Sequence, residues 1–281
     1  MAAAMNSVPS SQLSIDLDLA KDHKSGFPLK SPLLAASGCW GFSNEYADLI
    51  EMDLLGALIT NPISWHPRKP ARGDHAQVLA GGVALHTGLP NPGLFAALHH
   101  FGPKWQRMRC PVIVHLALES AIEARKCIER MEEVDNVLAI EMGFRHDEDP
   151  RTAAETMAAA ACGLLPVVVQ APFSRASEFA SLAEKAGVQA VSVTAPPQAT
   201  LTTREVWVEG RLYSGGLFAH TLQIVHELAY KTGLPIIAAG GIHSTTQAQA
   251  LLSAGAQAVQ LQSVVWISPR EVNEMLRSWK H

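Results

Sequence analysis

Cysteine is scarce and scattered in this chain. The four residues Cys39, Cys110, Cys127 and Cys162 form no CxxC pair. Zinc-ribbon and disulfide-framework readings are thereby excluded, and a reducing cytoplasm is the expected compartment. No lysine/arginine cluster stands out and the formal net charge is −4, so nucleic acid is not an expected partner. No apolar run approaches the ~20 residues needed to span a bilayer, so no membrane association is expected. The opening MAAAMNSVPSSQ lacks the basic start and apolar core of a secretion signal and reads as a loose tail. Charged residues make up only 17%, which suits a compact enzyme-like globule rather than a disordered or fibrous chain. No GxGxxG follows the first apolar strand, which disfavours a doubly wound open sheet.

What is present is a strand–helix alternation. The most informative stretch is PIIAAGGIHSTTQAQALLSAGAQAVQLQSVVWISP, residues 235–269. A short apolar strand ends at Gly240-Gly241, Ser244-Thr245-Thr246 offers N-cap hydroxyls, a helix runs to Leu252, and Ala258-Val259-Gln260-Leu261 forms the next strand. So compact a βαβ unit belongs to a parallel sheet. Two strands with glycine and hydroxyl residues at their carboxyl ends match the phosphate-binding corner of a (β/α)8 barrel. Backbone N–H groups of Gly240, Gly241 and Ile242 are expected to cradle a phosphate, because no Cβ blocks the approach at the glycines.

Upstream, residues 14–19 alternate apolar and acidic side chains, the pattern of a strand with one covered face, and suggest a hairpin beneath a barrel. Further strands are expected at 32–37, 56–60, 111–116, 137–142, 166–170 and 189–194. Expected helices lie at 45–52 (capped by Ser43-Asn44), 92–101, 120–132, from Pro150, from a Ser174 cap to 186, at 217–232 and from Pro269. Long polar stretches at 61–91 and 195–214 read as functional loops. Eight strands alternating with helices are the count of a TIM barrel, so we expect residues 28–281 to form one (β/α)8 domain. Residues 1–27 would be a tail and covering strand, and the long loops would follow strands two and six.

At this level the chain resembles the class 1 dihydroorotate dehydrogenase family across roughly residues 28–269. The motifs that carry the resemblance are PLLAASGCWGFSNE at 32–45, GALIT at 56–60 with Pro67-Arg68-Lys69, and GLPNPG at 88–93. Ala139-Ile140-Glu141-Met142, Ser214-Gly215, Gly240-Gly241-Ile242 and Ala254-Gly255-Ala256 continue it. The resemblance implies FMN as cofactor and an oxidoreductase acting on a C–C (CH–CH) bond of a small-molecule substrate, within pyrimidine biosynthesis. It further implies a homodimer, with an iron–sulfur electron-transfer flavoprotein subunit as partner. By position, Ala36, Ser37, Gly38 and Thr60 would lie along the flavin, and Gly215, Gly240, Gly241, Ile242, Gln262 and Ser263 around its phosphate.

Departures from the family pattern gather in the chemistry. Its strand-two lysine is Asn61 here, its strand-three asparagine is His115, and its strand-five lysine is Gln170. Its catalytic-cysteine loop becomes Arg145-His146-Asp147-Glu148, and its final Gly-Thr becomes Gln262-Ser263. Oxidation of dihydroorotate itself is therefore not the expected activity. In the active reading, His146 stands in for the cysteine base, since imidazole titrates near ~6.5. Asp147 would orient it, and Asn61 and Gln170 would complete the catalytic set. Arg145, His115 and Asn91 would bind substrate. The alternative is a catalytically inactive barrel homologue acting as a scaffold subunit. His115, Glu141, His146 and His243 fall near strand ends on one face, but no paired ligand spacing supports a metal, and none is expected.

Overall fold

The computed structural model describes residues 17–73, 75–202 and 207–279. The tail and residues 14–16 of the expected first strand lie outside the described residues, as do residues 203–206 of the second insertion. The strands, in chain order, are β1 (Leu17–Asp18), β2 (Pro28–Leu29), β3 (Leu33–Ala35), β4 (Ala57–Ile59), β5 (Ala76–Leu79), β6 (Gly82–Leu85) and β7 (Val112–Leu116). They continue with β8 (Val137–Gly143), β9 (Val167–Pro172), β10 (Ala190–Ala195), β11 (Gln198–Thr202), β12 (Trp207–Ser214), β13 (Ile236–Ala239) and β14 (Ala258–Leu261). The helices are α1 (Leu94–Trp105), α2 (Ala121–Met131), α3 (Pro150–Ala161), α4 (Ala176–Lys185), α5 (Phe218–Leu228), α6 (Thr245–Ser253), α7 (Val264–Ile267) and α8 (Pro269–Ser278).

Eight parallel strands close into the expected barrel, in the order β3-β4-β7-β8-β9-β10-β13-β14 and back to β3. Period-two alternation splits their side chains between two cores. Val112, Val114, Ile140, Met142, Val167, Val169, Val191 and Val259 face outward against the helices. Leu34, Ala57, Ile59, Ile113, Ala139, Val168, Ala190, Ile237 and Ala258 face inward. The antiparallel β1–β2 hairpin closes the amino-terminal end of this interior, where Leu19, Ala20 and Phe27 join the inner cluster. The segment ending at residue 27 thus shares its core with the barrel.

Helix caps follow the sequence in most places: Ser120, Asp149, Ser244 and Ser268 each accept an N–H three residues ahead. Two expectations fail. The helix over 45–52 does not form. Glu45 instead turns its carboxylate back to accept from Phe42 N and Ser43 N, and only a 3-10 turn forms, at Met52–Leu54. Ser174 does not cap α4; a 3-10 turn at Phe173–Arg175 precedes that helix, and Arg175 pairs with Glu178 (2.7 Å). Two boundaries also move. Helix α1 runs past 101 through Pro103 because Trp105 is buried and donates its indole N–H to Phe42 O (2.7 Å). Helix α5 ends at Leu228, short of Thr232.

The two long insertions are more than loops. The first contains the β5–β6 hairpin and the second β11–β12, and together they form one antiparallel sheet in the order β11-β12-β6-β5. Both insertions leave the carboxyl ends of barrel strands, so this sheet stands over the barrel mouth. Among the described residues no helix is long and apolar enough to cross a membrane.

Candidate active site

Inward positions two residues beyond the apolar interior are polar. His115, Glu141, Gln170, Ser192 and Gln260 follow Ile113, Ala139, Val168, Ala190 and Ala258 on the same strand faces. All five are buried, Glu141 completely. The Glu141 carboxylate meets His115 Nδ1 at 2.7 Å through Oε2 and accepts from Gln260 Nε2 at 2.7 Å through Oε1. Gln170 Nε2 reaches Oε2 at 3.5 Å, and Gln260 Nε2 lies 3.5 Å from Ser192 Oγ. A carboxylate accepts only, so His115 Nδ1 is the donor of that contact and Nε2 is the ring nitrogen turned toward Gly143. Gly143 makes room for that nitrogen, because a Cβ there would stand 2.6 Å from Nε2.

Asn61 and Ser37 lie two residues past the carboxyl ends of β4 and β3. Asn61 Oδ1 and Ser37 Oγ are buried without a hydrogen-bond partner, as is Gln260 Oε1. Thr60 Oγ1 accepts the His115 backbone N–H (3.1 Å), and Ala36 N donates to Leu261 O (3.0 Å), so both tie neighbouring strands together. Gly38 has φ 82°, and the Tyr213 hydroxyl lies 3.5 Å from where its Cβ would be. Burial pushes the Tyr213 phenol far above its ordinary range.

The loop after β8 forms the rim. Arg145 makes a paired ion bond with Asp147 (2.9 and 2.7 Å) and holds that carboxyl below its usual range. His146 is partly exposed, and its Nδ1 stands 3.8 Å from Asp147 Oδ1. The structure therefore does not join His146 to the buried layer, and Asp147 is held by Arg145 rather than by the imidazole. Arg175 clamps the loop by donating to His146 O and Glu148 O (3.0 and 2.7 Å). Across the mouth, Arg211 on β12 donates to Pro196 O (3.3 Å), and burial lowers its pKa. Asn91, expected at the substrate, spends its amide on its own loop. It donates to Ser64 Oγ and Leu89 O (3.0 and 2.9 Å) and accepts from Gly93 N (2.9 Å).

A cavity of about 480 Å³ opens between the antiparallel sheet and the ends of β13 and β14. Gly215, Ser263 and His243 line it, with Trp266 and Tyr213 beside them. Gly240 and Gly241 turn at φ 103° and 75°. The missing Cβ of Gly241 serves packing, since it would collide with the backbone of Phe218 at the start of α5. Ile242 and Gln262 are buried and do not line the cavity. A larger, open depression of about 620 Å³ lies away from this end, lined by residues 47–54, Arg109 and Asn273.

Sequence reasoning passed over Ser192, Gln260, Arg211 and Tyr213, and weighed Glu141 and His243 only as metal ligands. A polar residue two places beyond an apolar inward one was the available signal for Ser192 and Gln260. No local signal marks Arg211 or Tyr213, which reach the mouth only through strand pairing in the insertions.

The unpartnered Ser37 and Asn61 oxygens just past β3 and β4, and the glycine- and hydroxyl-lined cavity at the ends of β13 and β14, are the features that a polar ring system carrying a phosphate, as in FMN, would use. Among the described residues no cluster of three or more His, Cys, Asp or Glu could hold a metal. A family model described as dihydroorotate dehydrogenase matches residues 20–278. The catalytic subunit of dihydroorotate dehydrogenase B (NAD(+)) from Desulforamulus reducens is 27% identical over 266 residues, covering 88% of each chain. Its counterpart from Caldicellulosiruptor saccharolyticus is 28% identical over 269 residues, covering 89% of each. A crystal structure of DHODH from Eimeria tenella, in complex with ferulenol, aligns at a TM-score of 0.72 and 16% identity over 93% of this chain and 83% of that one.

Proposed function

The chain belongs to the dihydroorotate dehydrogenase family, and on that footing we propose that it is an FMN-dependent oxidoreductase acting on a CH–CH bond of a small acidic substrate other than dihydroorotate. The observation that carries this reading is the pair of buried, unpartnered oxygens, Ser37 Oγ and Asn61 Oδ1, just past the carboxyl ends of β3 and β4. Buried polar atoms are rarely left without a partner unless water, an ion or a ligand completes them. Ala36, Ser37, Gly38, Thr60 and Asn61 would lie along the flavin. Gly215, Gly240, Gly241, Ile242, Gln262 and Ser263 would surround its phosphate. When bound, FMN supplies a two-electron acceptor for hydride from carbon.

The chain's own groups supply the rest. His115, oriented by Glu141, presents Nε2 as a proton acceptor, the arrangement of a base fixed by a third group. That geometry favours His115 over His146 for the base, with His146 and Arg145 at the rim on the substrate's path. Gln170 donates from the layer's edge. Arg211, half-buried and without an ion-pair partner among the described residues, is the cation we assign to an anionic substrate group. The antiparallel sheet excludes water from above. Relatives named as catalytic subunits support a second kind of subunit as partner; the family resemblance makes that partner an electron-transfer flavoprotein and the working assembly a homodimer in the cytoplasm.

The test is the visible absorption spectrum of protein mixed with FMN and desalted. A retained flavin band that an acidic substrate bleaches is the expected result, and no retained flavin would overturn the reading. One observation favours a second reading, a ligand-holding scaffold without turnover: Asn61 and Gln170 carry no charge where the family resemblance places lysines. Bound flavin that resists every candidate reductant would select it.

A further inference from the structure

The cavity between the sheet and the ends of β13 and β14 has an unusual charge inventory. Among the described residues that line it, none is Asp, Glu, Lys or Arg. Its titratable groups are His243 and Tyr213. His243 leaves the loop after β13, and its backbone N–H is fixed by Gln247 Oε1 on α6 (2.7 Å). Its Nε2 lies 3.3 Å from Ser263 Oγ, at the end of β14. On the opposite side stands Gly215, where a Cβ would be 3.5 Å from the ring's Nδ1 and Cε1. The imidazole therefore bridges the three segments that the flavin reading assigns to the cofactor phosphate. Burial alone lowers its pKa, with no charged neighbour contributing.

A phosphate ester at neutral pH carries close to two negative charges. Backbone N–H groups and hydroxyls offer partial charges only, and a cation beside them adds to the compensation of a dianion in a partly enclosed cavity. Among the described residues that line it, the group able to become a cation at neutral pH is His243. We propose that His243 is a proton-coupled anchor for the cofactor's phosphate, neutral on its own and protonated when a phosphate dianion lies against it. The proton comes from solvent. This inference rests on the flavin reading above and assigns a role within it to a residue outside the expected phosphate set.

Linkage fixes the sign. Binding that takes up a proton weakens as pH rises between the imidazole's pKa in the free and the bound protein. The test measures dissociation constants of FMN and of riboflavin, which lacks the phosphate, by quenching of flavin fluorescence from pH 6.5 to 8.5. This window lies above the phosphate's own second ionisation near ~6. FMN affinity should fall by up to about tenfold per pH unit, while riboflavin affinity stays flat. His243→Asn should flatten the FMN profile, and His243→Lys should keep FMN tight at the alkaline end. Without flavin, inorganic phosphate should raise the pKa of the His243 ring in proton NMR, assigned by the signal missing in His243→Asn. An FMN profile equally steep in wild type and His243→Asn, or no phosphate effect on the ring, overturns the anchor and leaves the flavin reading standing. Failure to bind either flavin removes both.

Discussion

His115 Nδ1 lies 2.7 Å from Glu141 Oε2 on the neighbouring strand, and both side chains point into the closed barrel. Glu141→Ala removes the acceptor of both His115 Nδ1 and Gln260 Nε2 and should cost about 1–3 kcal/mol of stability for each buried donor left unpaired, read from urea unfolding. Glu141→Gln, which keeps the volume and a hydrogen-bonding oxygen, should cost less. Equal and small losses for both variants would show that the layer is solvated.

The two histidines separate in kinetics. His115→Ala should slow single-turnover flavin reduction by about 10²–10⁴-fold, the usual contribution of a positioned base. His146→Ala, at the rim, should change it by less than about tenfold by the same measure. The reverse order would return the base role to His146.

Gly143→Ala tests the space kept for the imidazole. A Cβ there meets His115 Nε2 at 2.6 Å and Cε1 at 2.9 Å. Overpacking of this kind costs about 1–3 kcal/mol. Adding His115→Ala to Gly143→Ala should recover part of that loss, and strict additivity of the two changes in unfolding free energy would deny the contact.

Phe27 is fully buried within the inner cluster that the β1–β2 hairpin completes. Phe27→Ala should destabilise the barrel by about 3–5 kcal/mol, lowering its thermal midpoint without altering flavin spectra. A neutral substitution would mean that the hairpin is not part of the cooperative fold.

Stability of the cofactor-free protein should fall on the acid side of the ordinary histidine value, ~6.5. His243 has a lowered folded pKa because it is buried. Between that pKa and ~6.5 the unfolded chain binds a proton that the folded chain does not, so stability rises with pH across the window. His243→Gln should reduce the slope of unfolding free energy against pH there, and an unchanged slope would assign the acid sensitivity elsewhere.

The barrel was legible in the sequence because its determinants are local. Short apolar strands, serine caps and glycine stops recur in chain order, and eight repeats leave one closed solution. Ser37, Asn61 and Ser263 were placed at strand ends by the same order. What local pattern could not supply was pairing across the chain. Glu45 turns back on its own loop instead of starting a helix, and residues 76–85, 198–202 and 207–214 join into a sheet that brings Arg211 and Tyr213 over the mouth. Glu141 is a polar residue in an apolar strand by sequence. Only closure of the barrel sets it against His115 and Gln260, residues 26 and 119 positions away, because a side chain's partners are decided by which strands become neighbours.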